Sequence, residues 1–380
     1  MIYLDYNAST PVDEAVYEAM LPFLRRMHGN PSSSHALGRP LREAIEKARG
    51  QTASLIGARP DEIVFTASGT EANNHVLKGV AHALRKRGNH IITSKIEHPA
   101  VTNPCLFLES VGCEVSYVGV DSTGRVDPRE VADEVRGTTV LISIMHANNE
   151  VGTIQNIAEI AAVAHEGGVL MHTDAAQSCG KIATDVRELG VDFLSMAGHK
   201  LYAPQGIGAL YIRDGVALEP LLHGAGHQKG RRAGTEPTAL IVGLGAACEL
   251  AKRPPRVHPL RGGGASDDVR MVALRDRLFE GLKRRLGDRV VLLGHPTARL
   301  PNTLCVGFRG RIGGEVLEAC PEICASTGAA CHSGRRERSA TLAAMDVPEE
   351  VASGAVRFSV GRLTTETEID AAVEQLARAL

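Results

Sequence analysis

The chain has 380 residues, 43% of them hydrophobic and 23% charged, with a formal net charge of −2. That length allows two domains with substantial cores, and charges of both signs interleaved along the chain leave no basic footprint for nucleic acid or an anionic membrane. Met1 runs into IYLDYNAST without a leader pattern, no apolar run approaches a spanning helix, and eight irregularly spaced cysteines form no secreted disulfide framework. The expectation is a cytoplasmic protein with free thiols.

Residues 1–11, MIYLDYNASTP, read as a short strand and a loop, with Thr10 and Pro11 as cap and first-turn signals for a helix over 12–28 that Pro22 would kink. The polar loop GNPSSSHALG (29–38) precedes a helix over about 36–56. From Glu62 onward, strand-like runs alternate with helix-like ones: EIVFTA before 70–87, HIITS before 98–110, EVSYVGV before 128–136, TVLISIM before 156–166, then VLMHTD, FLSMA and IGALYIR. This pattern predicts an α/β fold with a mainly parallel seven-stranded sheet and helices on both faces. TALIVGLGAACELAK (238–252) reads as a long helix, and the proline- and glycine-rich RPPRVHPLRGGGASDD (253–268) marks a domain boundary. Beyond it, a helix over 268–286, the strands VVLLG and NTLCVGF, a helix near 313–320, a loop carrying Cys331, then VRFSV and a closing helix read as a smaller α+β domain. The expected domains are therefore 12–252, and 1–11 together with 253–380.

Ligands on such sheets bind outside the carboxyl ends of the strands, where Ser68, His98, Asn149, Asp174 and Lys200 all fall. Lys200 lies between the two apolar runs of DFLSMAGHKLYAPQGIGALYIR (192–213). A lone lysine in a turn is ordinarily a solvated charge, but just past a buried strand it loses water and its pKa falls. Asp174 taken alone could be a helix cap, and Ser68-Gly69-Thr70 an ordinary N-cap beside Glu71. Together, an acid, a phosphate cradle at a helix start and a lysine are what a pyridoxal 5'-phosphate enzyme needs. Lys200 would hold the cofactor covalently, Asp174 would keep its ring nitrogen protonated, Gln177 would donate to its phenolic oxygen, and His199 would reach its phosphate. His98 in KIEHPAV could stack on the ring and move protons, and Asn149 in HANNEVG could touch cofactor and substrate. Cys331, in ASTGAACHSGRRERS beside His332 and several arginines, reads as an exposed thiol with thiolate character. Cys105, Cys179, Cys248 and Cys305 read as packing residues. Cys320, Cys324 and Cys331 match no common metal spacing, so no metal is expected.

The motifs LDYNAST, GNPSS, SGTEANN, EHPAV, NNEVG, HTDAAQ, GHKLYAPQGIGALY, GRRAGTEP, GAACHSG and VRFSVGR together resemble the cysteine desulfurase and selenocysteine lyase family, from residue 2 to about 370. The resemblance implies the class V aminotransferase branch of the type I pyridoxal phosphate fold, working as a homodimer. It implies Lys200 as the Schiff-base lysine, Asp174 and Gln177 on the ring, His98 stacked on it, and Gly69, Thr70 and His199 on the phosphate. Thr235 of RRAGTEP would reach the phosphate of the neighbouring subunit's cofactor. Asn149 would lie near cofactor and substrate, Asn7 and Arg357 would receive the substrate carboxylate, and Cys331 would be the nucleophile. The implied reaction takes L-cysteine to L-alanine: Lys200 removes the Cα proton, and Cys331 takes the sulfur as a persulfide for a sulfur-acceptor protein, as in iron-sulfur cluster assembly.

Three departures bear on this. Ala197 stands where many members have a serine that donates to the phosphate. The loop reads GAACHS, closer to selenocysteine lyases than the SGSACTS run of housekeeping desulfurases, and the sequence stops at Leu380 without their C-terminal extension. A lyase acting on L-selenocysteine is thus the first rival. A class V aminotransferase, which needs no loop cysteine, and a non-catalytic sulfur-relay partner, which needs no lysine, are lesser ones.

Overall fold

Alternation of strand and helix from Glu62 onward builds the sheet on which the rest of the chain is hung. The computed structural model describes residues 1–252, 267–327 and 339–380. Cys331 and most of the expected domain boundary lie outside the described residues. Twelve strands occur among those residues: β1 (Ile2–Tyr3), β2 (Ile63–Thr66), β3 (His90–Ser94), β4 (Glu114–Val118), β5 (Thr139–Ser143), β6 (Leu170–Asp174), β7 (Phe193–Ala197), β8 (Gly208–Ile212), β9 (Val290–Leu293), β10 (Thr303–Phe308), β11 (Ile323–Cys324) and β12 (Ala355–Ser359).

Strands β2 to β8 form one seven-stranded sheet in the order β2-β8-β7-β6-β5-β3-β4. Successive residues of a strand feed opposite faces, and the buried clusters follow that rule. Ile63, Phe65, Ile92, Ala209 and Tyr211 join the core on one side, whereas Val64, Ile91 and Leu210 join the core on the other. A sheet buried on both faces needs apolar strands throughout, which is why IVFT, TVLIS and FLSMA carry so little alternation. The pairs β3–β4, β3–β5, β5–β6 and β6–β7 are parallel, while β8 runs antiparallel to both β7 and β2. The physical reason is the short link over 198–207, which leaves no room for a crossover helix, so the chain returns as a hairpin. The order reverses between β3 and β5, and the crevice beyond their carboxyl ends is the topological switch point.

A second core forms around the antiparallel sheet β12-β10-β9 and the two-stranded parallel pair β1–β11. The helices Asp267–Leu286 and Glu366–Ala379 bury Leu274, Leu278, Leu282, Ile369 and Leu376 against it. Ile2 and Leu4 insert into this core, so the start of the chain is pinned beside its last third and then crosses to the large sheet. One local expectation changes. The first helix is Glu14–Arg25, capped by Asp13, whose Oδ1 accepts from the Ala15 N–H at 2.9 Å. Thr10 is not the cap: its hydroxyl donates to the His199 carbonyl at 3.0 Å and accepts from the Tyr202 N–H at 2.9 Å. A carboxylate placed three residues on serves the helix dipole, freeing Thr10 to brace the lysine turn.

Candidate active site

Beyond β7 the chain makes one tight turn, Gly198–Lys200, and returns through Tyr202 in the left-handed region at φ 62°. Such a conformation in a bulky residue persists only where the surroundings fix it, and here Thr10 holds the Tyr202 N–H. The turn is seated against β8 because Gly208 has no side chain: a Cβ there would lie 2.6 Å from the Met196 carbonyl oxygen and 2.7 Å from Ser68. Lys200 is half-buried and its Nζ donates to the main-chain carbonyls of Asn7 and Ala8, the latter at 2.9 Å. Burial, with the Arg357 charge adding to it, pushes its pKa down to about 8 against the pull of Asp5 and Asp174.

Asp174 ends β6 and is buried. Its Oδ1 accepts from the Ala176 N–H at 2.9 Å, and its Oδ2 from the Asn73 side-chain amide at 2.7 Å. Asn73 lies in the helix Gly69–Ala83, whose N-cap Ser68 accepts from the Glu71 N–H at 3.1 Å. The helix that supplies free N–H groups at Gly69 and Thr70 is therefore also the one that orients the acid. Although burial opposes it, the Arg232 guanidinium at 2.8 Å and the Ala67 N–H hold the Glu71 carboxyl below its usual range. That neutralised charge leaves the helix start electropositive.

His98 follows β3 and caps the helix Pro99–Ser110: its Nδ1 accepts from the Ala100 N–H at 3.0 Å. An acceptor at Nδ1 places the proton of the neutral ring on Nε2. Burial lowers its pKa, with Asp174 opposing and Lys200 adding to the fall. Burial also takes His199 down to about 4, assisted by Lys200. Both imidazoles are neutral near pH 7. Behind His98, the Glu97 Oε1 accepts from Ser94 Oγ at 2.6 Å and from the Met145 N–H at 2.9 Å, which ties the end of β3 to the chain leaving β5.

Asn7, Gly69, Thr70, His98, Asn149, Asp174, Gln177, His199, Lys200 and Arg357 all line one cavity of about 430 Å³, together with Ser68, Asn73, Ala197 and Ser326. Arg357, on β12, donates to the Asn149 carbonyl at 3.0 Å and to Asp5 at 2.7 Å. Asn7 has its side chain engaged by neighbours within the fold. Its amide nitrogen donates to Thr303 Oγ1 at 2.8 Å and its oxygen accepts from Asn302 at 3.0 Å, while its main-chain carbonyl receives Lys200 and Gln177. Thr235 is exposed and does not line this chain's own cavity; Cys331 lies outside the described residues. Asn73, Glu97 and Ser326 were not singled out from sequence. For Asn73 a signal existed, since a buried polar residue one turn into a helix needs a partner.

The chain matches the model of the aminotransferase class-V family over residues 2–372. It belongs to that family. Among curated relatives, the chain is 46% identical to the cysteine desulfurase IscS of Dictyoglomus turgidum, covering 99% of this chain and 94% of that protein. It is also 46% identical to the cysteine desulfurase IscS of Methanosarcina thermophila, covering 98% and 90%. Among solved structures, a NifS-like protein superposes with a TM-score of 0.90 at 37% identity, covering 99% of this chain and 98% of that one. The structure titled SspA in complex with cysteine gives 0.82 at 37%, covering 96% and 100%. Family membership, with the NifS-like structural neighbour, gives the architecture as the type I fold.

Proposed function

We propose that the protein is a pyridoxal 5'-phosphate-dependent cysteine desulfurase. The observation that carries the reading is the convergence, in one cavity, of a desolvated lysine, a buried acid held by Asn73, and an uncapped pair of helix N–H groups. The donor set fits the cofactor: an acid for a ring nitrogen, a helix start for a phosphate dianion, an amine for an aldehyde, and an imidazole to lie on a ring. Gly69 fits it as well, because a Cβ there would come 3.2 Å from that of Ala197 and narrow the cradle. The relatives named cysteine desulfurase, and the neighbour solved with cysteine, support the substrate.

When bound, the cofactor supplies an electron sink for the substrate Cα. The chain's own residues supply the rest. With its pKa near 8, Lys200 is partly a free amine at neutral pH and can take a proton from Cα and return it. Arg357 holds a carboxylate through the N–H groups not spent on Asn149 and Asp5. Asp174, oriented by Asn73 and Ala176, holds a proton on the ring nitrogen. Cys331, as thiolate, attacks the substrate sulfur; the C–S bond breaks with its electron pair going to the substrate carbon, which is protonated to give L-alanine. The sulfur stays on Cys331 as a persulfide for an acceptor protein. We read the enzyme as a cytoplasmic homodimer in which the exposed Thr235 completes the partner's phosphate site.

The test is alanine yield from L-cysteine and from L-selenocysteine with wild type and Cys331→Ala. The variant should keep the cofactor absorbance and release no alanine from cysteine, with a smaller loss on selenocysteine. Full cysteine turnover without Cys331 would sink the persulfide step. Alanine from selenocysteine with little or none from cysteine in wild type would favour the selenocysteine reading.

A further inference from the structure

Lys181 stands behind the site on the segment that follows Gln177. It is half-buried, and with Lys200, Tyr202 and Asn302 it lines a second, smaller cavity. Its Nζ donates to Gln177 Oε1 at 3.0 Å, and Gln177 Nε2 donates to the Asn7 carbonyl at 3.0 Å. The two ends of an amide cannot be told apart by shape, but these neighbours decide them. An ammonium has only donors and a carbonyl only lone pairs, so the amide oxygen must face Lys181 and the NH2 group must face Asn7. We infer that Lys181 is a positioning residue: by claiming the Gln177 oxygen, it leaves the NH2 group as the end offered to an oxygen acceptor bound in the main cavity.

Without Lys181, the amide keeps only the Asn7 carbonyl as a tether and its oxygen loses its donor, so the NH2 group is held less firmly toward the cavity. Lys200, Arg357 and Cys179 act on the Lys181 charge, Arg362, Tyr6 and Tyr202 line the same small cavity, and the Lys181 charge is felt at His199. Burial, reinforced by Lys200 and Arg357, brings its pKa down to about 7. The discrimination by Lys181 belongs to its ammonium form, since a neutral amine also carries a lone pair that can accept; above about pH 7 the Asn7 carbonyl alone holds the NH2 group. The inference rests on the cofactor reading above, since the acceptor is the phenolic oxygen of pyridoxal 5'-phosphate.

The experiment loads cofactor-free protein with pyridoxal 5'-phosphate and reads the dissociation constant and the pH midpoint of the cofactor band. It compares wild type, K181M, K181R, Q177A and the K181M/Q177A pair. K181M should weaken binding about 3- to 10-fold, the worth of one hydrogen bond, and move the midpoint upward by about 0.5 unit or more, because a donor facing a phenolate stabilises the anion. K181R should restore most of both. In the Q177A background K181M should add less than about twofold. A full shift in that background would show that the Lys181 charge acts directly, and unchanged binding and midpoint in K181M would overturn the inference outright. If K181M does not fold, K181A, which also lacks a donor, carries the same comparison. Failure of the cofactor reading looks different: wild type itself would then show no band.

Discussion

Among single residues, Glu97 gives the sharpest electrostatic prediction. Its Oε2 is buried without a partner, and burial, reinforced by Asp174, raises its pKa from 4.5 to about 8. The folded chain therefore holds a proton there that the unfolded chain has released. The group costs nothing below about pH 4.5, and the cost grows as pH rises and is full above about 8. Glu97→Gln keeps an oxygen for Ser94 and Met145 and removes the ionisable proton. Its stability relative to wild type should be near zero at pH 5 and favourable at pH 9, by roughly 1–3 kcal/mol. Urea melts at the two pH values decide it, and a difference independent of pH would mean that Glu97 is ionised and satisfied in the folded chain. Lys200 yields a second prediction. Because its folded pKa is near 8, the apoprotein's Lys200 should be acylated by an amine reagent with a pH midpoint near 8, well below that of exposed lysines. A midpoint near 10 would remove the desolvation argument.

At the scale of elements, the hairpin β7–β8 and the start of the helix Gly69–Ala83 form one unit through Gly208. Adding a methyl at that position pushes on the Met196 carbonyl and on Ser68, both backbone atoms that cannot swing aside. Gly208→Ala should cost about 1–3 kcal/mol of stability and weaken cofactor binding together with it. An unchanged cofactor constant would show that Ser68 is not displaced. The N-terminal strand works in the same way over a longer span. Leu4 is fully buried in the small core and the Asn7 carbonyl meets Lys200 three residues later. Leu4→Ala should cost about 2–5 kcal/mol and loosen the lysine turn with the core, seen as a parallel loss of stability and cofactor occupancy.

For the molecule as a whole, the decisive question is which chain supplies Thr235. Lys200→Ala and Thr235→Ala proteins, each inactive or weak alone, can be mixed and allowed to exchange subunits. If Thr235 serves the partner's site, each heterodimer carries one intact site and activity returns. If it serves its own, no site regains both residues and activity stays low. Loss of one phosphate hydrogen bond should weaken Thr235→Ala by about 1 kcal/mol or more, enough to score the mixture.

The sequence alone determined the class of the fold and the convergence of the site, because both are written in short-range patterns. Seven apolar runs separated by helical ones specify a covered sheet, and residues just past the runs must gather at its carboxyl edge. Lys200, Asp174, His98 and Ser68 were legible for that reason. Only the tertiary structure decided which groups hold them. Asn73 meets Asp174 across 101 positions, Asn7 meets Lys200 across 193, and Asn7 meets Thr303 across 296; no local periodicity encodes such pairings. The antiparallel return of β8, the use of Thr10 on the lysine turn rather than as a cap, and the Lys181–Gln177 contact have the same origin. Each depends on where a second segment passes in space, and that is settled by packing two cores around one cavity rather than by any stretch of the chain on its own.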